Sequence, residues 1–140
     1  MDGTVRAVYE AVAPSNPVTS VNGDGDITVS NIPYVGTGEA TVAITFAKDI
    51  TSVAGYDSFD VYEFGEGQGA KADATLSQDK LTVTFTDSDI SNHEFYRIGL
   101  FDSNNDHLGQ TAWDAGIIPV SMTITVGGET ETYEIDEATE

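Results

Sequence analysis

The segment LTVTFT at residues 81–86 decides the fold of this chain. Its apolar residues Leu81, Val83 and Phe85 occupy every second position, and threonines lie between them. Because successive side chains of a β-strand point to opposite faces, this period of two predicts a strand with one buried and one exposed face. The same alternation recurs in three further segments, at Val42, Ile44 and Phe46, at Tyr96, Ile98 and Leu100, and at Val120, Met122, Ile124 and Val126.

Short strands separated by turns account for the rest of the chain. Glycine, proline, asparagine and aspartate cluster between the apolar segments, as they do between the strands of a β protein. No segment carries a convincing helical period, and the glycine-rich residues 65–70 are expected to form a mobile loop. This pattern predicts an all-β sandwich. The predicted strands cover residues 4–12, 18–21, 27–29, 40–47, 59–64, 74–77, 80–86, 94–102, 110–113, 117–126 and 131–135.

Length and composition limit the possible functions. With 140 residues, the chain is expected to form a single β-sandwich domain over residues 1–140. Its 24 acidic and 5 basic residues give a formal net charge of -19. Such a field repels nucleic-acid phosphates and anionic membranes, so neither is an expected partner, whereas docking on a basic protein is favoured. Because cysteine is absent, disulfides, thiolate zinc sites and cysteine nucleophiles are excluded.

The N-terminal sequence MDGT has no basic region followed by an apolar run, so no signal peptide is visible. Two expectations follow, and both stay open here. Either the chain is a complete protein that is not secreted by the usual route, or it is a module of a longer secreted chain. No stretch of sequence approaches the length of a membrane-spanning helix.

Four segments together resemble bacterial surface Ig-like domains of the surface-layer type. The segments are PVTSV at 17–21, ATVAITF at 40–46 followed by KDI at 48–50, the strand at 80–85, and YRIGLFDSNND at 96–106. The resemblance covers about residues 17–109 and implies an antiparallel Ig-like sandwich that acts as a non-catalytic structural or adhesive module. It transfers no catalytic residues. The first sixteen residues and a C-terminal hairpin at about 117–135 would add strands outside the Ig-like core.

Calcium is the cofactor that the sequence suggests most directly. Asp102, Asn104 and Asp106 have the spacing that places oxygen ligands on one side of a tight loop. His107 and Trp113 stand where a complete EF-hand loop has its glycine and its final glutamate. A second oxygen-rich turn also lacks the complete motif, and it contains Asn22, Asp24 and Asp26. Calcium is therefore possible at either turn, but no metal site is assigned.

No catalytic site is predicted from the remaining polar residues. His93 and His107 lie far apart in polar loops and are interpreted as surface histidines. In so acidic a chain, carboxylate pairs arise by chance and do not indicate a glycosidase. The glycine-rich segment at 65–69 lacks the lysine of a phosphate-binding loop. The carboxylate pairs are Asp87 with Asp89 and Asp57 with Asp60.

Aromatic residues near loops leave two interpretations open. Tyr56, Tyr62 and Trp113 could form a flat platform for stacking a sugar, as in a carbohydrate-binding module. The favoured alternative is that Trp113 closes one end of the sandwich core.

Two functions therefore remain, and the chain is not expected to be an enzyme. The preferred one is a structural protein of a virus particle, a capsid-decoration or tail component, which docks on other proteins in a homo-oligomeric or symmetric assembly. The alternative is an extracellular or cell-surface location, as an Ig-like structural or carbohydrate-binding module of a secreted bacterial protein.

Overall fold

The structure is an all-β sandwich, as predicted: alternating apolar side chains from two β-sheets form one hydrophobic core between them. The computed structural model describes residues 16–33, 38–65, 68–90 and 94–138. The predicted strand at 4–12 lies outside these residues. The strands are β1 (Val18–Val21), β2 (Ile27–Ser30), β3 (Ala40–Phe46), β4 (Ser58–Gly65), β5 (Gln68–Ala72), β6 (Ala74–Leu76), β7 (Thr82–Asp87), β8 (Phe95–Phe101), β9 (Pro119–Val126), β10 (Glu129–Glu134) and β11 (Asp136–Glu137).

The strands form one six-stranded and one five-stranded sheet. The order in the first is β11-β1-β2-β8-β4-β5, and in the second it is β10-β9-β3-β7-β6. Neighbouring strands are antiparallel except β1 and β11, which run parallel. A short 3-10 helix, Ile50–Ser52, follows β3, and helix α1 (Gly109–Asp114) follows β8. The described helices include none long and apolar enough to cross a membrane.

The segment that predicted the fold supplies the centre of the core. Val83 and Phe85 on β7 are almost fully buried, and so are Ile44 on β3 and Ile98 on β8. The Phe85 ring meets the ring of Tyr96 from the opposite sheet edge-on, with centroids 4.9 Å apart. Each such side chain contributes about 1.5–3 kcal/mol through its burial. The alternation of residues 81–86 therefore fixes which face of β7 meets the other sheet.

The Ig-like connectivity is not confirmed. In an Ig domain the first strand lies beside strand B and the last strand lies beside strand F. If β3 and β8 are taken as the counterparts of B and F, then β2, which precedes β3 in the chain, lies beside β8, and β9, which follows β8, lies beside β3. The hairpin predicted at 117–135 corresponds to β9 and β10, and it extends the five-stranded sheet beyond β3.

The strand predicted at 110–113 is wrong, because these residues form helix α1. A complete C-cap ends this helix. The amide of Ile117 donates to the carbonyl oxygen of Ala112, and the amide of Gly116 donates to that of Trp113. Gly116 has the left-handed φ of 89° that this cap requires. Ala112 and Ile117 are buried, so the helix packs on the core in spite of its shortness.

The mobile loop predicted at 65–70 is also wrong over the residues that the structure describes, because Gln68–Ala72 is strand β5. This strand pairs with β4, and Gly69 lies opposite Phe64. A Cβ atom at position 69 would lie 2.5 Å from Cε2 of Phe64. Glycine therefore serves here to let an aromatic ring cross the strand, and it does not signal flexibility.

Candidate functional site

Charged and aromatic side chains cover the centre of the outer face of the six-stranded sheet. Because Tyr96 and Ile98 point into the core, Arg97 and Gly99 face outward. The strand register places Tyr62 opposite Arg97. The group is called the Arg97 cluster below, and it consists of Asp26, Asp60, Tyr62, Phe64, Arg97 and His107.

The guanidinium of Arg97 is held by aromatic rings on one side and by a carboxylate on the other. Its Cζ lies 4.5 Å from the ring centroid of Tyr62 and 5.7 Å from that of Phe64. Phe64 in turn stacks on Phe95 with centroids 4.8 Å apart. Only 22% of the Arg97 side chain is exposed, so these cation–π contacts are partly desolvated and contribute about 1 kcal/mol or more.

Asp26 is fully buried and joins two turns of the chain. Its Oδ1 lies 2.6 Å from Nδ1 of His107, which fits donation from an Nδ1–H of the imidazole. Its Oδ2 lies 3.5 Å from Nε of Arg97. Within the described residues neither of these last two atoms makes a hydrogen bond, so the attraction between them is Coulombic. Asp26 thereby fixes both the arginine and the turn that precedes α1.

Asp60 lies among the charged groups of the cluster and is partly buried. Its Oδ1 is buried and has no hydrogen-bond partner among the described residues. A Cβ atom at position 99 would lie 2.8 Å from this oxygen, so Gly99 gives the carboxylate its room. Burial raises the pKa of Asp60 above its ordinary value of 3.8, and the positive charges of Arg97 and Lys71 oppose that shift.

Replacing Asp60 with asparagine is expected to raise the melting temperature at pH 7. A raised pKa means that the folded state binds the proton more tightly than the unfolded state. The contribution of Asp60 is therefore present below its ordinary pKa and is lost as the pH rises through the raised value. Asp60→Asn removes the buried charge, and we expect a gain of about 1–3 °C at pH 7 and a weaker pH dependence in calorimetric scans.

The matched control for this prediction is Asp57→Asn, because Asp57 is exposed beside the same strand. It removes the same formal charge without the burial, and it should leave the pH dependence of the wild type in place. A fall in melting temperature for Asp60→Asn at pH 7 would contradict the prediction, since it would mean that attraction to Arg97 outweighs desolvation.

The two turns considered for calcium share one hydrogen-bonded geometry. In the first, Oδ1 of Asn22 accepts from the amides of Asp24 at 2.9 Å and Asp26 at 3.0 Å. In the second, Oδ1 of Asp102 accepts from the amides of Asn104 at 2.8 Å and Asp106 at 2.9 Å. In each turn the leading side chain is thus bound to backbone amides.

This shared geometry accounts for the oxygen-rich spacing without a metal. The fourth residue of each turn is left-handed, with φ of 86° at Gly25 and 65° at Asn105. Across the described ranges, no three histidine, aspartate or glutamate side chains form a group that could hold a metal ion.

The structure separates the other residues singled out from the sequence. His93 lies outside the described residues. His107 is 41% exposed, yet it binds Asp26 and meets the Phe101 ring edge-on with centroids 5.0 Å apart. Tyr62 lies in the Arg97 cluster, and among the described residues no ring contact joins it to Tyr56 or Trp113. Trp113 and Tyr56 both pack against the core.

A second polar group lies inside the sandwich, where sequence reasoning gave it no role. Asp87 is fully buried, and its Oδ2 accepts a hydrogen bond of 2.5 Å from the hydroxyl of Tyr96. Burial and the nearby Asp87 carboxylate raise the pKa of that hydroxyl. Glu63 is also buried and accepts a hydrogen bond from the Ser88 hydroxyl at 3.0 Å. These contacts tie the end of β7 to β4 and β8.

The Arg97 cluster was also missed at the sequence level, although one signal for it was present. Along β4, Val61 is buried, and Tyr62 and Phe64 lie on the opposite face, as strand alternation requires. The alternation in 96–100 likewise placed Arg97 opposite Tyr96 and Ile98. An arginine on one core strand and two aromatic residues on the neighbouring strand, all at outward-facing positions, are the sequence pattern that indicates such a cluster.

Comparison of this chain with protein-family models, curated proteins and solved structures gives no match. The resemblance to surface-layer-type Ig-like domains therefore stays a prediction from the sequence.

Proposed function

We propose that this chain is a non-catalytic structural protein of a virus particle, a capsid-decoration or tail component that docks on a basic protein surface. The observation that carries this proposal is the distribution of charge. The net charge is -19, and two of the few basic side chains are engaged within the fold. Nζ of Lys48 donates to the carbonyl oxygen of Ala115 at 3.0 Å, and Arg97 is held in its cluster. The outer surface is therefore left strongly negative.

The edge of the five-stranded sheet adds to this argument. Strand β10 has the sequence ETETYE, and all of its residues except Tyr133 are exposed. Acidic side chains on an edge strand repel the same edge of another copy, which keeps it from pairing with itself. The same charges attract a basic surface and orient the encounter with it. Such an edge supports docking on a different, basic protein.

The alternative is an Ig-like structural or carbohydrate-binding module of a secreted bacterial surface protein. One observation favours it, because Trp113 lines an open cleft beside β1 and β11. An aromatic ring beside polar groups is a common arrangement in sugar sites.

The proposal is tested on particles from a culture of the organism that carries this gene. Particles purified on a density gradient are labelled with gold-conjugated antibody against the chain and viewed by electron microscopy. We expect label at regular positions on capsids or tails. Raising NaCl from 0.1 to 1 M should release the chain, because the screening length falls from about 10 to 3 Å.

Two results would contradict the proposal. Label confined to the cell envelope would favour the surface-module alternative. Label on particles that persists through 1 M NaCl and is removed only by denaturant would show that charge does not hold the chain in place.

A further inference from the structure

The outer face of the five-stranded sheet carries an ordered array of hydroxyl side chains. Because Val42, Val83 and Met122 point into the core, the residues that alternate with them along β3, β7 and β9 face outward. The strand register aligns these outward residues, together with those of β6 and β10, in three rows across the sheet. This array is called the threonine face below, and its rows are Thr130, Thr125, Thr41 and Thr86, then Thr132, Thr123, Ala43, Thr84 and Thr75, then Glu134, Ser121, Thr45 and Thr82.

The threonine face is almost free of charge, in contrast to the chain as a whole. The chain has a net charge of -19, whereas within these rows, all of them described, the only charged side chain is Glu134 at one end of the third row. Every residue of the face is exposed or half-buried. Two copies of so acidic a chain repel each other over most of their surface. The threonine face is therefore a surface on which a second copy can approach with little repulsion.

Hydroxyl groups on this face already bond to one another across the strands. Three pairs of threonines are within hydrogen-bond distance through their Oγ1 atoms, namely Thr45 with Thr82 at 3.0 Å, Thr123 with Thr132 at 3.2 Å and Thr125 with Thr130 at 2.8 Å. A hydroxyl group that keeps its hydrogen bond loses less on leaving water than one without a partner. Covering this face with protein therefore has a smaller desolvation cost than its number of hydroxyl groups suggests.

The size of the threonine face fits a reversible contact between two copies. With strands about 4.8 Å apart and outward residues about 6.7 Å apart along each strand, the five strands and three rows span roughly 500 Å². Two such faces would together bury about 1,000 Å², which is the lower limit for a biological interface, whereas a standard interface buries about 1,600 Å². This area supports a weak dimer and not a permanent one.

We propose that the threonine face binds the same face of a second copy of this chain. In such a dimer the two sheets pack face to face about 10 Å apart, and a two-fold axis brings the same patch of each copy into contact. This contact does not depend on the docking proposed above. Docking on a basic protein weakens in salt, whereas contact between neutral faces strengthens, because salt screens the repulsion between the acidic remainders of the two copies.

Sedimentation velocity of the purified chain in 0.1 and 1 M NaCl tests this inference. We expect a monomer–dimer equilibrium whose dissociation constant is at least about tenfold smaller in 1 M NaCl, because the screening length falls from about 10 to 3 Å. Thr84→Glu places a carboxylate in the second row, where the face offers no cation to pair with it. This variant should weaken the dimer by about tenfold or more in 1 M NaCl, since an unpaired charge would have to be desolvated.

A second variant and a matched control keep the test independent of folding and of net charge. Thr41→Glu should weaken the dimer in the same way, and Thr41 is an exposed position where a glutamate leaves the fold intact. The control is Thr111→Glu, because Thr111 is an exposed threonine on helix α1, which packs on the six-stranded sheet. It adds the same charge away from the threonine face, so it should dimerise as the wild type does. Melting temperatures close to that of the wild type would show that each variant is folded.

Four results would overturn the inference. The first is a wild-type chain that stays monomeric at millimolar concentration in 1 M NaCl. The second is association that weakens as salt is added, which would place the contact on charged side chains. The others are equal weakening by Thr111→Glu, and dimers of folded Thr41→Glu and Thr84→Glu that are as tight as those of the wild type.

Failure here can be told apart from failure of the proposed function. Sedimentation uses the isolated chain, whereas the docking proposal is tested by label and salt release on whole particles. A chain that labels particles, leaves them in salt and sediments as a monomer would keep docking and remove only the threonine face. A dimer that strengthens in salt, from a chain that never labels particles, would do the reverse.

Discussion

Replacing Gly109 with alanine is expected to lower the free energy of unfolding by about 3 kcal/mol, the upper part of the range for overpacking. Gly109 is the first residue of α1 and is fully covered by the turn before β2. A Cβ atom there would overlap the carbonyl oxygen of Gly25 and lie 3.1 Å from Cα of Asp26. Both neighbours are backbone atoms, so neither can swing aside. The helix would have to move away from the turn.

This separation has consequences beyond stability. The same turn carries Asp26, and α1 carries Trp113, so the Arg97 cluster and the cleft both depend on the contact. Urea unfolding and calorimetry each measure the loss of global stability. Trp113 fluorescence, recorded at urea concentrations below the unfolding transition, measures local detachment of the helix.

Gly23→Ala is the matched control, because Gly23 lies in the same turn with nothing within 4 Å of an added Cβ and no left-handed φ. Its effect should stay within about 0.5 kcal/mol. If Gly109→Ala unfolds at the same urea concentration as Gly23→Ala, helix α1 is not seated on the turn as described.

The sandwich itself could be predicted from sequence because its signal is local. Alternation in a single segment such as 81–86 tells which residues are buried, and Val83 and Phe85 are indeed in the core. The order of the strands could not be predicted in this way. Strand β9 lies beside β3, which is more than sixty residues earlier in the chain, and not beside the nearer β8, and the pattern within each strand would be the same in both cases.

The two wrong assignments show where composition misleads. Residues 110–113 are too few to display a helical period. Gly116 followed by the apolar Ile117 is typical of the C-terminal cap of a helix, and this pair was the better signal for a helix at 109–114. The glycines near residue 69 suggested a loop because glycine is common in loops. At Gly69 the reason for glycine is the Phe64 ring on the neighbouring strand, which local sequence does not reveal.

The Arg97 cluster illustrates the same limit at the candidate site. The turns at 22–26 and 102–106 have the same geometry and the same acidic ending, yet Asp26 is buried while Asp106 is exposed. The difference comes from Arg97 on a distant strand and from His107, which follows the other turn. Tertiary neighbours therefore decide which carboxylate is structural.

Replacing Asp26 with asparagine should cost about 2–3 kcal/mol, slightly below the 3–5 kcal/mol for breaking a fully buried pair. Asparagine keeps the shape and can still accept from His107, so the loss isolates the charge. Arg97, with only 22% of its side chain exposed, would lose the carboxylate that lies 3.5 Å from its Nε. Urea unfolding at pH 7 measures the loss. Asp24→Asn, an exposed position in the same turn, is the matched control and should be near neutral.

A double-mutant cycle distinguishes the ion pair from a general packing effect. Arg97→Met alone removes the cation beside the buried Asp26 carboxylate and leaves its contact with His107, and it should also destabilise the chain. With Asp26→Asn in the same chain there is no orphaned charge, so the double variant should lose less than the sum of the single losses, by about 1 kcal/mol or more. Additive losses would contradict the pairing, because they would mean that Asp26 and Arg97 stabilise the sheet independently across their 3.5 Å separation.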